Sequence, residues 1–273
     1  MVAIRLATFN VYGLPFRLAP LARRAPHFCE RFDGSDIDVV TFQEVWSLRA
    51  LAVLRAHLPS FPFVGWRRGV AGRPAGGLVT FSRRPVRAVS YTAFRGVRPT
   101  AGGALFRVTR AVTSRLKGVL IVELDGLVVA TTHLSANHDG DWSADNRHHG
   151  YQRAQLSMLL AVLRDVPSAG PKVLTGDFNV AADGPLYPMI AGAWRDPFAG
   201  TASATFHAEL LPPGAVGRRI DYLLVSGDEA RFPVTGTDLL FTEPLTLPDG
   251  QRLYLSDHVA LTATVGLPEA AGA

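Results

Sequence analysis

From Ala3 to Val11 the chain alternates, with Ile4, Leu6 and Thr8 facing one way and Arg5, Ala7 and Phe9 the other, and this period of two predicts a strand. The spacing then becomes helical through Leu18, Leu21, Ala25, Phe28, Cys29 and Phe32, where Pro26 is expected to kink or restart the helix. Asp38–Phe42 reads as a second strand, ending at Glu44. Ser47 can cap a helix through Leu58, with Leu48, Leu51, Leu54 and Leu58 inward. Short strands are expected at Leu78–Ser82, Val86–Thr92, Ala104–Thr109, Val119–Leu124 and Leu127–His133, the last two joined by the tight turn Asp125-Gly126. Tyr151–Val166 has helical spacing, with Leu156, Leu159, Leu160 and Leu163 inward, and Lys172–Thr175, Ile220–Val225 and Val259–Val265 complete the strands.

Helices early and midway with many strands between them imply an α/β sandwich of mixed sheets. No repeat, linker or composition break divides it, so residues 1–266 are expected to form one domain and the tail 267–273 to fray. The polar loop Ser135–Gly150 carries five Asp or Asn residues before Arg147, a length typical of functional lids or disordered segments.

Composition narrows the class. No apolar run reaches the roughly 18 residues of a membrane span. Arg5 and Asn10 interrupt any apolar leader, so the cytoplasm is the expected compartment. A single cysteine, Cys29, excludes an intrachain disulfide framework and a cysteine-based zinc site. The net charge of +5 conceals a strong asymmetry: Val45–Val122 holds fourteen basic residues and no Asp or Glu, leaving −9 for the rest. Either these residues form one positive surface that meets an anion, or Arg is simply this chain's surface cation, Lys occurring only at 117 and 172.

Polar residues gather just past strand ends at Asn10, Glu44, His133, Asp177 with Asn179, Asp221, and Asp257-His258. Taken singly each has a plain reading: a turn carboxylate, an Asx turn, a helix cap, a core histidine. Asp221, flanked by Ile220, Tyr222, Leu223 and Leu224, is expected to be partly buried and to need a cationic partner. Taken together they are expected to converge on one site. Carboxylates of Glu44, Asp177 and Asp257 with amide oxygens of Asn10 and Asn179 are hard ligands suited to Mg²⁺ or Mn²⁺. Asp177 and Asn179, two apart in extended chain, would point the same way. Histidines beside carboxylates can move protons near neutrality. That combination suits phosphoryl transfer to water.

The set Thr8-Phe9-Asn10, Phe42-Gln43-Glu44-Val45-Trp46, Thr132-His133-Leu134, Gly176-Asp177-Phe178-Asn179, Arg219-Ile220-Asp221-Tyr222 and Ser256-Asp257-His258 resembles the endonuclease/exonuclease/phosphatase superfamily from about residue 3 to 265. Asn10–Pro15, Gln43–Trp46 and Gly76–Val86 are most similar to its neutral sphingomyelinase branch. The resemblance implies a four-layered α/β sandwich, two mixed β-sheets face to face with helices outside. It implies Glu44 as the main Mg²⁺ ligand (Mn²⁺ or Co²⁺ also being accepted), with Asn10 beside it and Asp257 in the metal or water shell. Asp177 and Asn179 would hold the attacking water or the phosphate. His258 would act as general base or phosphate contact, and His133 would donate to a phosphate oxygen or assist the leaving group. Asp221 is expected to orient His258.

A phospholipid headgroup or related small phosphodiester is the first substrate reading. Nucleic acid, favoured by the basic segment, is the second, and non-catalytic binding of a phosphorylated partner the third. No counterpart of the aromatic hairpin or the C-terminal membrane helices of some relatives is expected, and Phe61 and Phe63 are expected in the core.

Overall fold

The computed structural model describes residues 2–14, 18–99, 101–114, 116–137, 140–201 and 203–268. In chain order the elements are β1 (Val2–Asn10), α1 (Leu21–Asp33), β2 (Val39–Gln43), α2 (Leu48–His57), β3 (Phe63–Gly65), β4 (Val79–Ser82), β5 (Ala88–Ala93), α3 (Ala104–Ser114) and β6 (Gly118–Leu124). There follow β7 (Leu127–His133), α4 (His149–Asp165), β8 (Lys172–Asp177), α5 (Tyr187–Ala191), β9 (Asp221–Val225), β10 (Val234–Leu240), β11 (Leu245–Thr246), β12 (Arg252–Leu253) and β13 (Ala260–Leu267).

Two large sheets form the interior, with strand orders β10-β13-β1-β2-β4-β3 and β5-β6-β7-β8-β9; β11 and β12 make a separate ribbon. Each sheet is mixed, with one parallel pair among antiparallel neighbours: β1 with β2, and β7 with β8. Their facing sides are apolar, Ile4, Leu6, Val39 and Leu261 meeting Leu120, Val129, Val173 and Leu223. Alternation puts Ala7 and Phe9 on the outer side of the first sheet, where Phe28 and Phe32 of α1 and Leu51 and Leu54 of α2 cover them. Leu156, Leu159 and Leu163 of α4 likewise cover Ala130, Leu174 and Leu224 of the second sheet. Helix, sheet, sheet, helix is the four-layered order expected. Phe9, Phe28, Phe32, Phe42 and Phe81 meet largely edge to face, and burial of each contributes about 1.5–3 kcal/mol.

Five details differ from the sequence reading. Ala104–Thr109 is not a strand but the start of α3. The β-branched Thr109 is accommodated because its hydroxyl donates to the carbonyls of Leu105 and Phe106 one turn back. Helix α1 continues through Pro26 without restarting. Phe61 is buried as expected, but Phe63 lies on the edge strand β3, 37% exposed. β13 includes Leu267, paired with Val2, so the first residue of the expected frayed tail is held in the sheet; residues 269–273 lie outside the described set. β3, β10, β11 and β12 are strands the periodicity did not disclose, being short or largely exposed.

Candidate active site

Both parallel pairs end at the same rim of the sandwich, and the carboxyl ends of parallel strands are where α/β sheets place ligands. Asn10 stands opposite Gln43 at the end of the first pair, and His133 opposite Asp177 at the end of the second. β9 runs antiparallel to β8, so its first residue, Asp221, lies across from Asp177. β13 runs antiparallel to β1, so the preceding Asp257-His258 reaches the same rim. Beneath it a buried polar seam joins the sheets: Gln43 Nε2 donates to Thr8 Oγ1 (3.1 Å) and Thr131 Oγ1 (3.0 Å), and the Thr41 and Thr175 hydroxyls are 2.9 Å apart. Gly176 lets β8 press this close, since a Cβ there would lie 2.0 Å from the Thr132 carbonyl oxygen and its φ is +126°.

Asp177 is the hub. Its Oδ2 accepts from Asn10 Nδ2 at 3.0 Å and lies 3.4 Å from His133 Nε2 and 3.7 Å from His258 Nε2. Its Oδ1 accepts the Asn179 backbone N–H at 2.9 Å. His258 Nδ1 is 2.8 Å from Asp221 Oδ2, and His258 Nε2 is 4.0 Å from Asp257 Oδ1. The Ser256 hydroxyl donates to the Asn10 carbonyl (2.6 Å), tying the end of β1 to the approach to β13. Thr205 Oγ1 accepts from the backbone of Ile220 and Asp221, which fixes the start of β9. Asp221 is thus buried and partnered, as its apolar surroundings required.

Glu44 stands at the side of this cluster with φ +66°, a conformation rarely adopted by side chains other than glycine. Tyr12 (φ +46°) and Asn179 (φ +50°) share that conformation beside it, and strain of this kind concentrates at functional sites. The left-handed turn at Asn179 overrides the extended-chain expectation. Its side chain does not run parallel to Asp177 but donates to the Leu134 carbonyl (3.2 Å), while Gln152 of α4 donates to its carbonyl oxygen (2.6 Å).

Charge and burial set the protonation states. Burial alone would depress the His258 imidazolium, but Asp221, Asp177 and Asp257 outweigh it and hold it well above the usual histidine range. Burial, with Lys117 and His258 nearby, pushes His133 well below that range. Asp177 is raised by burial, and the charge of Asp221 adds to this against His258 and Lys117. Glu44 is raised by burial, Lys117 opposing, and it also feels Asp257 and His258.

A divalent cation fits these residues. Glu44 Oε2 is buried with no hydrogen-bond partner, which a hard cation would remedy. Ligand atoms of Asp177, Asp221 and His258 also lie within 4.8 Å of one another. That trio is already engaged in its own hydrogen bonds, whereas the Glu44 oxygen is unspent.

Arg24 is a participant that the sequence reading passed over. Fully buried on α1, it donates to the carbonyls of Val11 (2.8 Å), Tyr12 (2.7 Å), Ala19 (2.7 Å) and Leu255. It therefore clamps the segment after Asn10 to the segment before Asp257, and feels the charges of Asp257 and Glu44. Its position between Leu21 and Phe28 on the inward stripe of α1 was the available signal. The described basic residues of 45–122 do not all share one face. Arg83 is bound to the Ile37 and Asp33 carbonyls at the opposite end of β2, and Arg87 pairs with Asp125.

The sequence profile of the Endonuclease/Exonuclease/phosphatase family matches residues 7–258. A Drosophila melanogaster protein named "Putative neutral sphingomyelinase" is 22% identical over 286 residues, covering 98% of this chain; the chain spans 61% of that relative's length. Among solved structures, sphingomyelinase C from Streptomyces griseocarneus superposes with a TM-score of 0.69 at 20% identity, covering 97% of this chain and 99% of that one. TDP2 of D. rerio, complexed with single strand DNA product, gives 0.69 at 19% identity, covering 97% and 100%. Both structural likenesses concern the fold.

Proposed function

The chain belongs to the Endonuclease/Exonuclease/phosphatase family, and from that membership and the cluster around Asp177 we propose that it is a divalent-metal-dependent phosphodiesterase of the sphingomyelinase-like type. It hydrolyses a phospholipid headgroup or related small phosphodiester by in-line attack of water. The observation that carries this reading is the convergence on Asp177 Oδ2 of Asn10, His133 and His258 beside the unpartnered oxygen of Glu44.

In this reading Glu44, Asn10 and Asp257 would hold the cation, Mg²⁺ in the first instance or Mn²⁺ or Co²⁺ in its place. A cation bound there would supply positive charge against the phosphate. His258 keeps both ring protons at neutral pH: Nδ1–H is spent on Asp221, and Nε2–H is free to donate to a phosphoryl oxygen. Asp177, whose proton affinity burial raises, takes the proton of the attacking water. Neutral His133 and Asn10 orient that carboxylate. The bond from water oxygen to phosphorus forms as the bond to the leaving oxygen breaks, and the leaving oxygen takes its proton from solvent. In this reading His258 serves as phosphate contact and Asp177 as base.

The test is a substrate panel with Mg²⁺ against EDTA: sphingomyelin, a lysophospholipid, a chromogenic phosphodiester and supercoiled plasmid. Metal-dependent release of phosphocholine is expected. Turnover confined to the plasmid would move the assignment to nucleic acid, and no turnover of any phosphodiester would end it.

A further inference from the structure

Six of the ten exposed large hydrophobic side chains among the described residues fall in the same segment, 45–122, that holds no carboxylate. Four of them lie on two neighbouring projections. One is the hairpin 66–75, closed by hydrogen bonds between Gly69 and Arg73 and between Ala75 and Arg67. Val70, 71% exposed, stands at its tip among exposed Arg67, Arg68 and Arg73. The other is α3 with the residue beyond it. Leu105 (79% exposed) and Val108 (62%) sit one turn apart on its outward side, with exposed Arg107 between them and Leu116 following. Phe106 against His148, and the Ser114 hydroxyl bonded to the Val97 carbonyl, pin the opposite side.

The projections are joined at their bases. Arg67 donates to the Val89 carbonyl of β5, and Tyr91 of β5 donates to the Leu116 carbonyl at 3.4 Å. They also border the active site. Gly77, just past the hairpin, accepts the N–H of Val45 beside Glu44, and Lys117, just past α3, lies over the Trp46 ring and acts on Glu44, His133 and Asp177.

We propose that the tip of the 66–75 hairpin and the outward face of α3 form one docking surface for a lipid bilayer carrying anionic headgroups, which sets the active-site rim against that bilayer. A surface joining aliphatic anchors to arginines, built from a segment that holds no Asp or Glu, matches the layered chemistry of a membrane interface. Val70, Leu105 and Val108 enter the acyl boundary while the guanidinium groups meet headgroup phosphates. A nucleic acid would satisfy the arginines but offers its phosphate backbone to these aliphatic side chains, and none of them is an aromatic that bases could stack on.

Sedimentation with phosphatidylcholine vesicles, with and without 30% phosphatidylserine, tests this in EDTA, so that the outcome does not depend on the reaction proposed above. Binding to the anionic vesicles is expected, at least 10-fold weaker without phosphatidylserine. The double variant Leu105→Asp/Val108→Asp should lose at least 10-fold in vesicle binding, and Arg68→Ala/Arg73→Ala a similar factor. Both should keep wild-type turnover of a soluble chromogenic phosphodiester, or, should that reaction fail, a wild-type melting temperature. No binding to anionic vesicles, or undiminished binding by Leu105→Asp/Val108→Asp, would overturn the proposal. So would tighter binding to duplex DNA that the aspartates leave unchanged.

Discussion

Asp221 Oδ2 accepts from His258 Nδ1 at 2.8 Å, and both side chains are buried. The carboxylate fixes the ring's orientation, and its charge raises the ring's affinity for a second proton. Asp221→Asn would present an amide in place of the acceptor, favouring the wrong tautomer and removing the charge. A fall in kcat of about 10²–10⁴-fold is expected with the fold intact, checked by steady-state kinetics alongside circular dichroism.

The same pair sets a pH prediction. His258 titrates above the ordinary histidine range, so activity that needs its imidazolium is lost only on the alkaline side. Asp221→Asn withdraws the charge that raises it, so the alkaline limb should move toward neutrality. On the acid side, raised Asp177 must lose its proton to accept one from water, so activity should fall above the ordinary carboxylate range. A kcat/KM profile of both proteins measures these limbs; an alkaline limb unmoved by the substitution would contradict the assignment.

Glu44 is costly to the metal-free fold. Its folded pKa is raised, so the folded protein binds its proton more tightly than the unfolded chain. The cost appears above the unfolded value of about 4.3 and grows until the folded value is passed. Glu44→Gln removes it. In EDTA at pH 7 the variant should melt about 2 °C or more above wild type, with the gap closing toward pH 4. Mg²⁺ should raise the melting temperature of wild type alone.

Gly13 lies against the Glu44 backbone, where a Cβ would come within 1.8 Å of the carbonyl oxygen. Gly13→Ala must displace Glu44 or the loop that carries it. Affinity for Mg²⁺, read by calorimetry, should weaken at least 10-fold, a loss of about 1.4 kcal/mol.

Arg24→Ala would strip the buried carbonyls of Val11 and Leu255 and the part-buried carbonyls of Tyr12 and Ala19 of their donor. A loss of at least about 3 kcal/mol is expected, measured by urea denaturation. Arg24→Lys, retaining the charge without the fork, should recover only part of it.

The rim was legible because each candidate side chain sits where a hydrophobic run stops, and a run that stops is visible in one dimension. Asn10, Glu44, His133, Asp177, Asp221 and His258 were found in that way. Local conformation was less visible. The left-handed turn at Asn179 depends on Gln152 and Leu134, which are distant in sequence, so an extended-chain argument misdirected its side chain. In α3 a six-residue window containing Phe106, Val108 and Thr109 resembled a strand, while the helix that overrode it runs eleven residues. Arg24 occupied a helical core position in plain view, but what four carbonyls it would meet depended on loops whose approach no periodicity encodes. The charge of 45–122 was countable, yet Arg83 shows that counting does not assign a surface.

β1 lies between β2 and β13, and the Ser256 hydroxyl reaches across 246 positions to Asn10. During synthesis the first strand therefore leaves the ribosome long before its final neighbour exists. Until β13 inserts, one edge of β1 stays open and the pocket lacks His258 and Asp257. Nascent chains should be inert, and vulnerable to pairing with one another through that edge. Competence arrives in a single late event, when the last strand closes beside the first.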